Sequence, residues 1–156
     1  LLRGRTRVTA SSIFYRTEPL GRPGQPAFLN GIWRIDTALG PAQVREELLR
    51  PIEAELGRVR TLDRFAPRPI DLDLILYNDL MMEDEAVRLP HPDLARPFVH
   101  VPVLELLNDG DAIERNLRNR MLQLVPTLAG EVEPGEPLHE LTTQMRSMLV
   151  SAAFWE

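Results

Sequence analysis

The chain has 156 residues, 44% apolar and 26% charged, with no Cys and a formal net charge of −5 at pH 7. That length suits one domain around one core, and the absence of Cys excludes a disulfide framework and a thiolate metal site. No apolar run is long enough to cross a bilayer, and net acidity argues against broad electrostatic steering of nucleic acid. The expectation is a single cytoplasmic domain over residues 1–156, with neither a membrane nor a nucleic-acid partner.

Residues 5–17 (RTRVTASSIFYRT) alternate and are rich in β-branched and aromatic side chains, which predicts a strand. Residues 18–26 hold three Pro and two Gly and read as a loop. Residues 27–39 read as a second strand. Gly40 and Pro41 open a helix, because Pro is favoured in a first turn. Val44, Leu48, Leu49, Ile52 and Leu56 then follow the 3,4 spacing of one buried face. Pro51 is expected to kink or split that helix, and Gly57 to end it.

Residues 58–69 (RVRTLDRFAPRP) are basic and aperiodic and read as a loop; residues 70–77 (IDLDLILY) read as a strand. Asn78 and Asp79 turn the chain into a short hairpin over 80–89 with a polar tip. Pro90, His91 and Pro92 must be extended, and Asp93 is placed to cap a single helical turn. Residues 98–103 read as a strand, 111–124 as an amphipathic helix, Pro134 and Gly135 as a turn, and 137–150 as a C-terminal helix. Strands and helices mixed in this order predict an α+β fold, an antiparallel sheet covered by helices. No internal repeat or low-complexity tract is present.

The chemistry concentrates at residues 64–75. On a strand, Asp71 and Asp73 point to the same face, roughly 6.5–7 Å apart. Two carboxylates facing one space repel each other unless a cation intervenes. Magnesium, which takes oxygen ligands and one or two carboxylates alongside substrate phosphates, would relieve that conflict. The bland alternative is a solvated strand face. Arg58, Arg60, Arg64 and Arg68 precede the pair in one loop, and Arg50 lies on the helix before it. All 18 basic residues are Arg, so an anion site must use guanidinium forks or backbone N–H groups. These Arg side chains are either salt-bridge partners of the acids or a clamp for a polyphosphate. His91, held between two prolines, is either a structural His or a donor to a phosphate oxygen. Asn30 on a strand needs partners for its amide, which a heterocycle can supply.

Residues 64–75 (RFAPRPIDLDLI) resemble the signature of the 6-hydroxymethyl-7,8-dihydropterin pyrophosphokinase family, and every position is compatible with it. Further segments resemble that family in the right order: SSIFYRTEPLG at 11–21, QPAFLN at 25–30, IE at 52–53, GRVR at 57–60, LPHP at 89–92, and FV with VPVLE at 98–105. The resemblance covers about 8–106, with a weaker echo at 134–141. It implies a ferredoxin-like fold and transfer of pyrophosphate from ATP to the pterin hydroxymethyl group, giving AMP, in folate biosynthesis. It implies two Mg2+ ions on Asp71 and Asp73, and ATP as co-substrate. By the same resemblance, Arg58, Arg68, Asp71 and Asp73 are the catalytic set. Arg50, Arg58, Arg60, Arg64, Arg68, His91 and Arg96 meet ATP, and Thr17, Pro19, Leu20, Phe28, Asn30 and Phe98 form the pterin site.

The chain departs from the family pattern in several places. Phe65 stands where Trp is common and Ala66 where Gly is. The interval from His91 to Phe98 is one residue shorter. Residues 108–130 read as an insert. The family's first strand, Gly-Ser-Asn loop and helix have no counterpart before Leu1, so the expected sheet lacks that strand and helix and the natural chain is expected to begin upstream. Two rival readings stand: a truncated protein that binds ATP or pterin without turnover, and a ferredoxin-like nucleic-acid-binding module built on the Arg loop. Fusion to, or association with, another folate-pathway enzyme is a further expected partnership.

Overall fold

The computed structural model describes residues 6–17, 28–56, 71–107, 112–128 and 135–153, with the backbone alone for Phe28, 124–128 and 148–153. Helices and antiparallel strand pairs alternate along the chain, an α+β arrangement. Strand β1 (Thr6–Ser11) pairs antiparallel with β4 (Trp33–Thr37), with a bulge between Val8 and Ala10. Strand β2 (Tyr15–Thr17) lies between β3 (Phe28–Asn30) and β7 (Glu136–Pro137). Strands β5 (Met82–Glu83) and β6 (Arg88–Leu89) make the predicted hairpin, whose tip is tied by Asp84 Oδ1 accepting the Ala86 and Val87 amides, both at 2.8 Å.

The two long predicted strands are therefore each broken in two. Both breaks fall at the same level, where the chain steps from the β1–β4 pair to the β2–β3 pair. Buried Ser12 makes the step: its N–H donates to Ile32 O and its Oγ accepts the Ile32 amide, both at 2.9 Å. Gly31 is needed there, because a Cβ would sit 2.6 Å from the Phe14 ring. The backbone freed by the step is satisfied from α5 (His139–Ala153) and the residue before it: Phe14 N–H donates to Thr142 Oγ1 and Phe14 O accepts the Leu138 amide, both at 2.8 Å. Buried backbone groups must find such partners, and tertiary structure supplies them here.

The helix that Gly40 and Pro41 open is continuous, but not regular. It runs as α1 (Pro41–Gln43), a π-helical stretch Val44–Leu49, and α2 (Arg50–Glu55). Gly40 N–H is capped by Gln43 Oε1 at 3.0 Å. The expected kink at Pro51 becomes a widened turn just before it, which accommodates a ring that would strike the carbonyl four residues back. Gly57, the expected terminator, lies outside the described residues.

Three other expectations are corrected. Residues 71–77 form no ladder with any described strand. Residues 98–103 belong to a helix, α3 (Pro97–Leu106), with Pro97 in its first turn. Val99, His100, Pro102 and Val103 are all buried. A helix apolar on most sides has no 3.6 period to see, and its β-branched run mimics a strand. The single turn Pro92–Ala95 is capped by His91, not by Asp93. The helix predicted at 111–124 is present as α4 (Ala112–Leu128). Its Met121 joins Leu94, Val99 and Val103 in one core cluster. The α3 carbonyls of Leu106 and the following Leu107 accept Arg34 Nη1 at 3.1 Å and Arg118 Nη1 at 3.2 Å, and Arg34 also bonds Glu114 at 2.6 Å. Two guanidinium groups thus close a helix C-terminus.

Two stability predictions follow from this packing. Gly135 has φ +125°, and a Cβ there would lie 2.5 Å from Arg16 O on the paired strand. Gly135→Ala is expected to cost about 1–3 kcal/mol, read as a lower urea midpoint. Tyr15 is buried, and burial first and the Glu105 carboxylate second raise its phenol above 10.0. Ionisation therefore favours the unfolded chain: this contribution to stability is complete below about pH 10 and is lost as pH rises through the folded value. Tyr15→Phe should flatten the alkaline limb of stability against pH in urea melts above pH 10.

Candidate active site

Asp71 and Asp73 are exposed, while the residues after them are held from behind. Leu74 and Tyr77 pack on the cluster of Leu39, Val44 and Leu48, and Ile75 and Leu76 on the cluster of Leu94, Val99, Val103 and Met121. Ile75 O accepts the His91 amide at 2.9 Å and Tyr77 Oη donates to Leu39 O at 2.8 Å. Without a ladder, the segment still keeps the i, i+2 relation that matters. Both acids open on one polar cavity of about 150 Å3, lined also by Arg45, Leu49, Arg50, Glu53 and Leu72.

Arg45 and Glu53 were not singled out from the sequence. In a regular α-helix, residues five apart lie about 140° apart around the axis, which would separate Arg45 from Arg50. The π-type turn changes this: the Arg50 amide donates to Arg45 O, five residues back, and both side chains line the cavity. The only signal was Pro51, whose missing N–H and bulky ring favour an irregular turn before it. Arg50 Nη1 reaches Glu46 at 2.9 Å, while its buried Nε has no hydrogen-bond partner among the described residues. An orphaned guanidinium donor beside oxygen-rich carboxylates suits a ligand carrying both anionic oxygens and a hard cation.

Beyond the cavity, Asp73 meets the His91 turn. Ligand-capable atoms of Asp73, His91 and Asp93 lie within 4.8 Å of one another. His91 Nδ1 accepts the Asp93 amide at 3.0 Å. The neutral ring therefore carries its proton on Nε2, a donor suited to a phosphate oxygen and not to a metal ion. Oxygen donors alone, above all Asp71 and Asp73, fit magnesium. Asp93 Oδ1 pairs with Arg96 Nε at 3.2 Å, and the Arg96 guanidinium lies 5.8 Å from the centre of the Phe98 ring. His91, Arg96 and Phe98 are thereby brought into one run.

Thr17 and Asn30 are joined as well. The strand pair sets Thr17 opposite Phe28 and Tyr15 opposite Asn30, and Asn30 Nδ2 donates to Thr17 Oγ1 at 2.6 Å. For Phe28 only the strand position is described. Arg58, Arg60, Arg64, Arg68, Pro19 and Leu20 lie outside the described residues.

Residues 1–108 match the family model described as 7,8-dihydro-6-hydroxymethylpterin-pyrophosphokinase. The chain is 41% identical over 105 residues to the 2-amino-4-hydroxy-6-hydroxymethyldihydropteridine pyrophosphokinase of Haemophilus influenzae, covering 67% of this chain and 64% of that protein. It is 41% identical over 128 residues to the protein of the same name from Methylorubrum extorquens, covering 81% of this chain and 80% of that one. It is 39% identical over 108 residues to a mitochondrial folate synthesis bifunctional protein of Pisum sativum, covering 69% of this chain and 20% of that protein. The match thus spans just under two thirds of the Haemophilus relative's length. Among the described residues no helix is long and apolar enough to cross a membrane.

Because the Arg50–Glu46 pair is half-exposed, its removal should matter little to folding. Arg50→Met is expected to leave unfolding free energy within about 1 kcal/mol of the parent, as measured by urea denaturation.

Proposed function

The chain belongs to the 7,8-dihydro-6-hydroxymethylpterin-pyrophosphokinase family, and on that footing we propose that it transfers pyrophosphate from ATP to the hydroxymethyl group of 6-hydroxymethyl-7,8-dihydropterin, releasing AMP. The observation that carries the reading is the cavity on which Asp71 and Asp73 open together, with Arg45 and Arg50 on its wall. In this reading the alcohol oxygen bonds to the β-phosphorus and gives up its proton to solvent, as the bond from that phosphorus to the oxygen bridging toward the α-phosphorus breaks and AMP leaves with that oxygen.

The chain's own residues bind and orient. Asp71 and Asp73 hold magnesium, two ions in the full assignment. When bound, the metal offsets the negative charge of the phosphate oxygens and polarises the acceptor oxygen. Arg45 and Arg50 offer guanidinium donors to the polyphosphate from the helix side. Arg58, Arg60, Arg64 and Arg68, the last also catalytic together with Arg58, supply the rest. His91 donates from Nε2, and Arg96 joins it on the same side. Phe98 and Phe28 flank the pterin, and Asn30, oriented by Thr17, reads its edge, with Pro19 and Leu20 nearby. Transfer of this type rests on positioning and charge stabilisation more than on covalent chemistry. We read the α+β arrangement as ferredoxin-like, residues 108–130 as an insert within one domain, the location as cytoplasmic, and association with a neighbouring folate enzyme as the partnership.

Release of AMP from ATP and the pterin in the presence of Mg2+ tests the reading. Asp71→Asn and Asp73→Asn should each lower turnover about 100-fold or more with an unchanged circular dichroism spectrum. Wild-type turnover in either variant would sink the proposal. Arg68→Ala should raise KM for ATP far more than KM for the pterin.

A further inference from the structure

A carboxylate beyond the two assigned to a cation is out of place beside a site for phosphate. Asp93 has an oxygen within 4.8 Å of ligand-capable atoms of both Asp73 and His91. It adds like charge to an acidic edge and repels the anionic substrate, which is unfavourable unless a nearby cation offsets it. Arg96 is that cation: Asp93 Oδ1 meets Arg96 Nε at 3.2 Å, with the Asp93 side chain only 33% exposed. The pair is built into a tight turn. Leu94 N–H donates to His91 O at 3.0 Å and Arg96 N–H to Asp93 O at 2.9 Å, while buried Leu94 anchors the turn in the core. Beyond the turn, Arg96 lies 5.8 Å from the centre of the Phe98 ring.

Asp93 therefore faces two ways through two different groups. Its amide fixes the His91 ring, with N···Nδ1 at 3.0 Å. Its carboxylate fixes Arg96. We propose that Asp93 is a positioning residue that holds His91 and Arg96 in register, so that the nucleotide-facing imidazole and the Arg96–Phe98 stack on the pterin side are set by one turn. This rests on the assignment of the site to ATP and a pterin. The design has a separable consequence. Any substitution at Asp93 other than Pro keeps the amide and its 3.0 Å bond to the His91 ring, the closer of two contacts with that ring (Asp93 Oδ2 lies 3.9 Å from Nδ1), whereas only a carboxylate holds Arg96.

Asp93→Asn is expected to raise KM for ATP about three- to fivefold, as loss of one partly exposed ion pair implies, and to weaken pterin binding in the same direction. The kcat should stay within about twofold, because no group that touches the reacting atoms is lost. Asp93→Glu should restore part of the loss. In an Arg96→Ala background, Asp93→Asn should cause no further loss, since its partner is already gone, and removing the then unpaired carboxylate should if anything lower KM for ATP. Equal losses in both backgrounds would overturn the proposal. Nitrogen-15 NMR gives a readout independent of activity. The neutral His91 ring should show an unprotonated Nδ1 in both the parent and Asp93→Asn, whereas the Arg96 Nε–H should be protected from exchange in the parent alone. An Arg96 Nε–H that exchanges freely in the parent refutes the positioning role. A parent chain that neither binds an ATP analogue nor releases AMP refutes the substrate assignment instead, and the NMR result then still decides the role of Asp93.

Discussion

Two hydrophobic clusters hold the segment carrying the site acids, and the site depends on that grip. Leu74 and Tyr77 are drawn into one cluster and Ile75 and Leu76 into the other, so the acidic end just before them is left facing solvent and the cavity. Carboxylates that repel one another will spread apart unless their backbone is held. Here apolar burial and two hydrogen bonds, at Ile75 and Tyr77, do the holding that a sheet ladder would otherwise do. The acids can stay close because their anchor lies in the core.

The cationic wall is set by a different constraint. A prolyl ring cannot sit in a regular helix interior without striking the preceding turn. The helix answers with a π-type stretch directly before Pro51, and that extra residue per turn rotates Arg45 toward Arg50. A backbone accommodation thereby becomes part of the site's electrostatics. On the far side, Asp73 reaches the His91 turn, which the buried Leu94 side chain locks in place. Helix, acidic segment and turn are separate in the chain, and each is fastened to the core by its own apolar side chains.

Local pattern in the chain was a sufficient guide where the pattern is the cause. The hairpin tip at Asp84, the helix start at Gly40 and Pro41, and the amphipathic α4 are all local events. It failed where a neighbour decides. Nothing in 5–17 or 27–39 announces that both segments step between sheets at Ser12 and Gly31, because the freed backbone is satisfied by Leu138 and Thr142, far along the chain. The helix at Pro97–Leu106 was hidden because it is apolar on most sides, and periodicity vanishes when burial extends around the helix. Asp93 looked like a cap; His91 is the cap, since its ring nitrogen reaches the Asp93 amide.

By itself, the order of residue types determined the chemical character of this protein: an Asp-x-Asp pair beside an Arg-only cationic set, a proline-flanked His, and the family to which these belong. Those are covalent facts, present in the chain before it folds. Tertiary structure alone decided which groups share a space: that Arg45 joins Arg50, that Asp73 meets His91 and Asp93, and that Arg96 lies over Phe98. Such meetings depend on where distant apolar side chains find burial, and that term is non-directional, long in sequence separation and invisible to any local period.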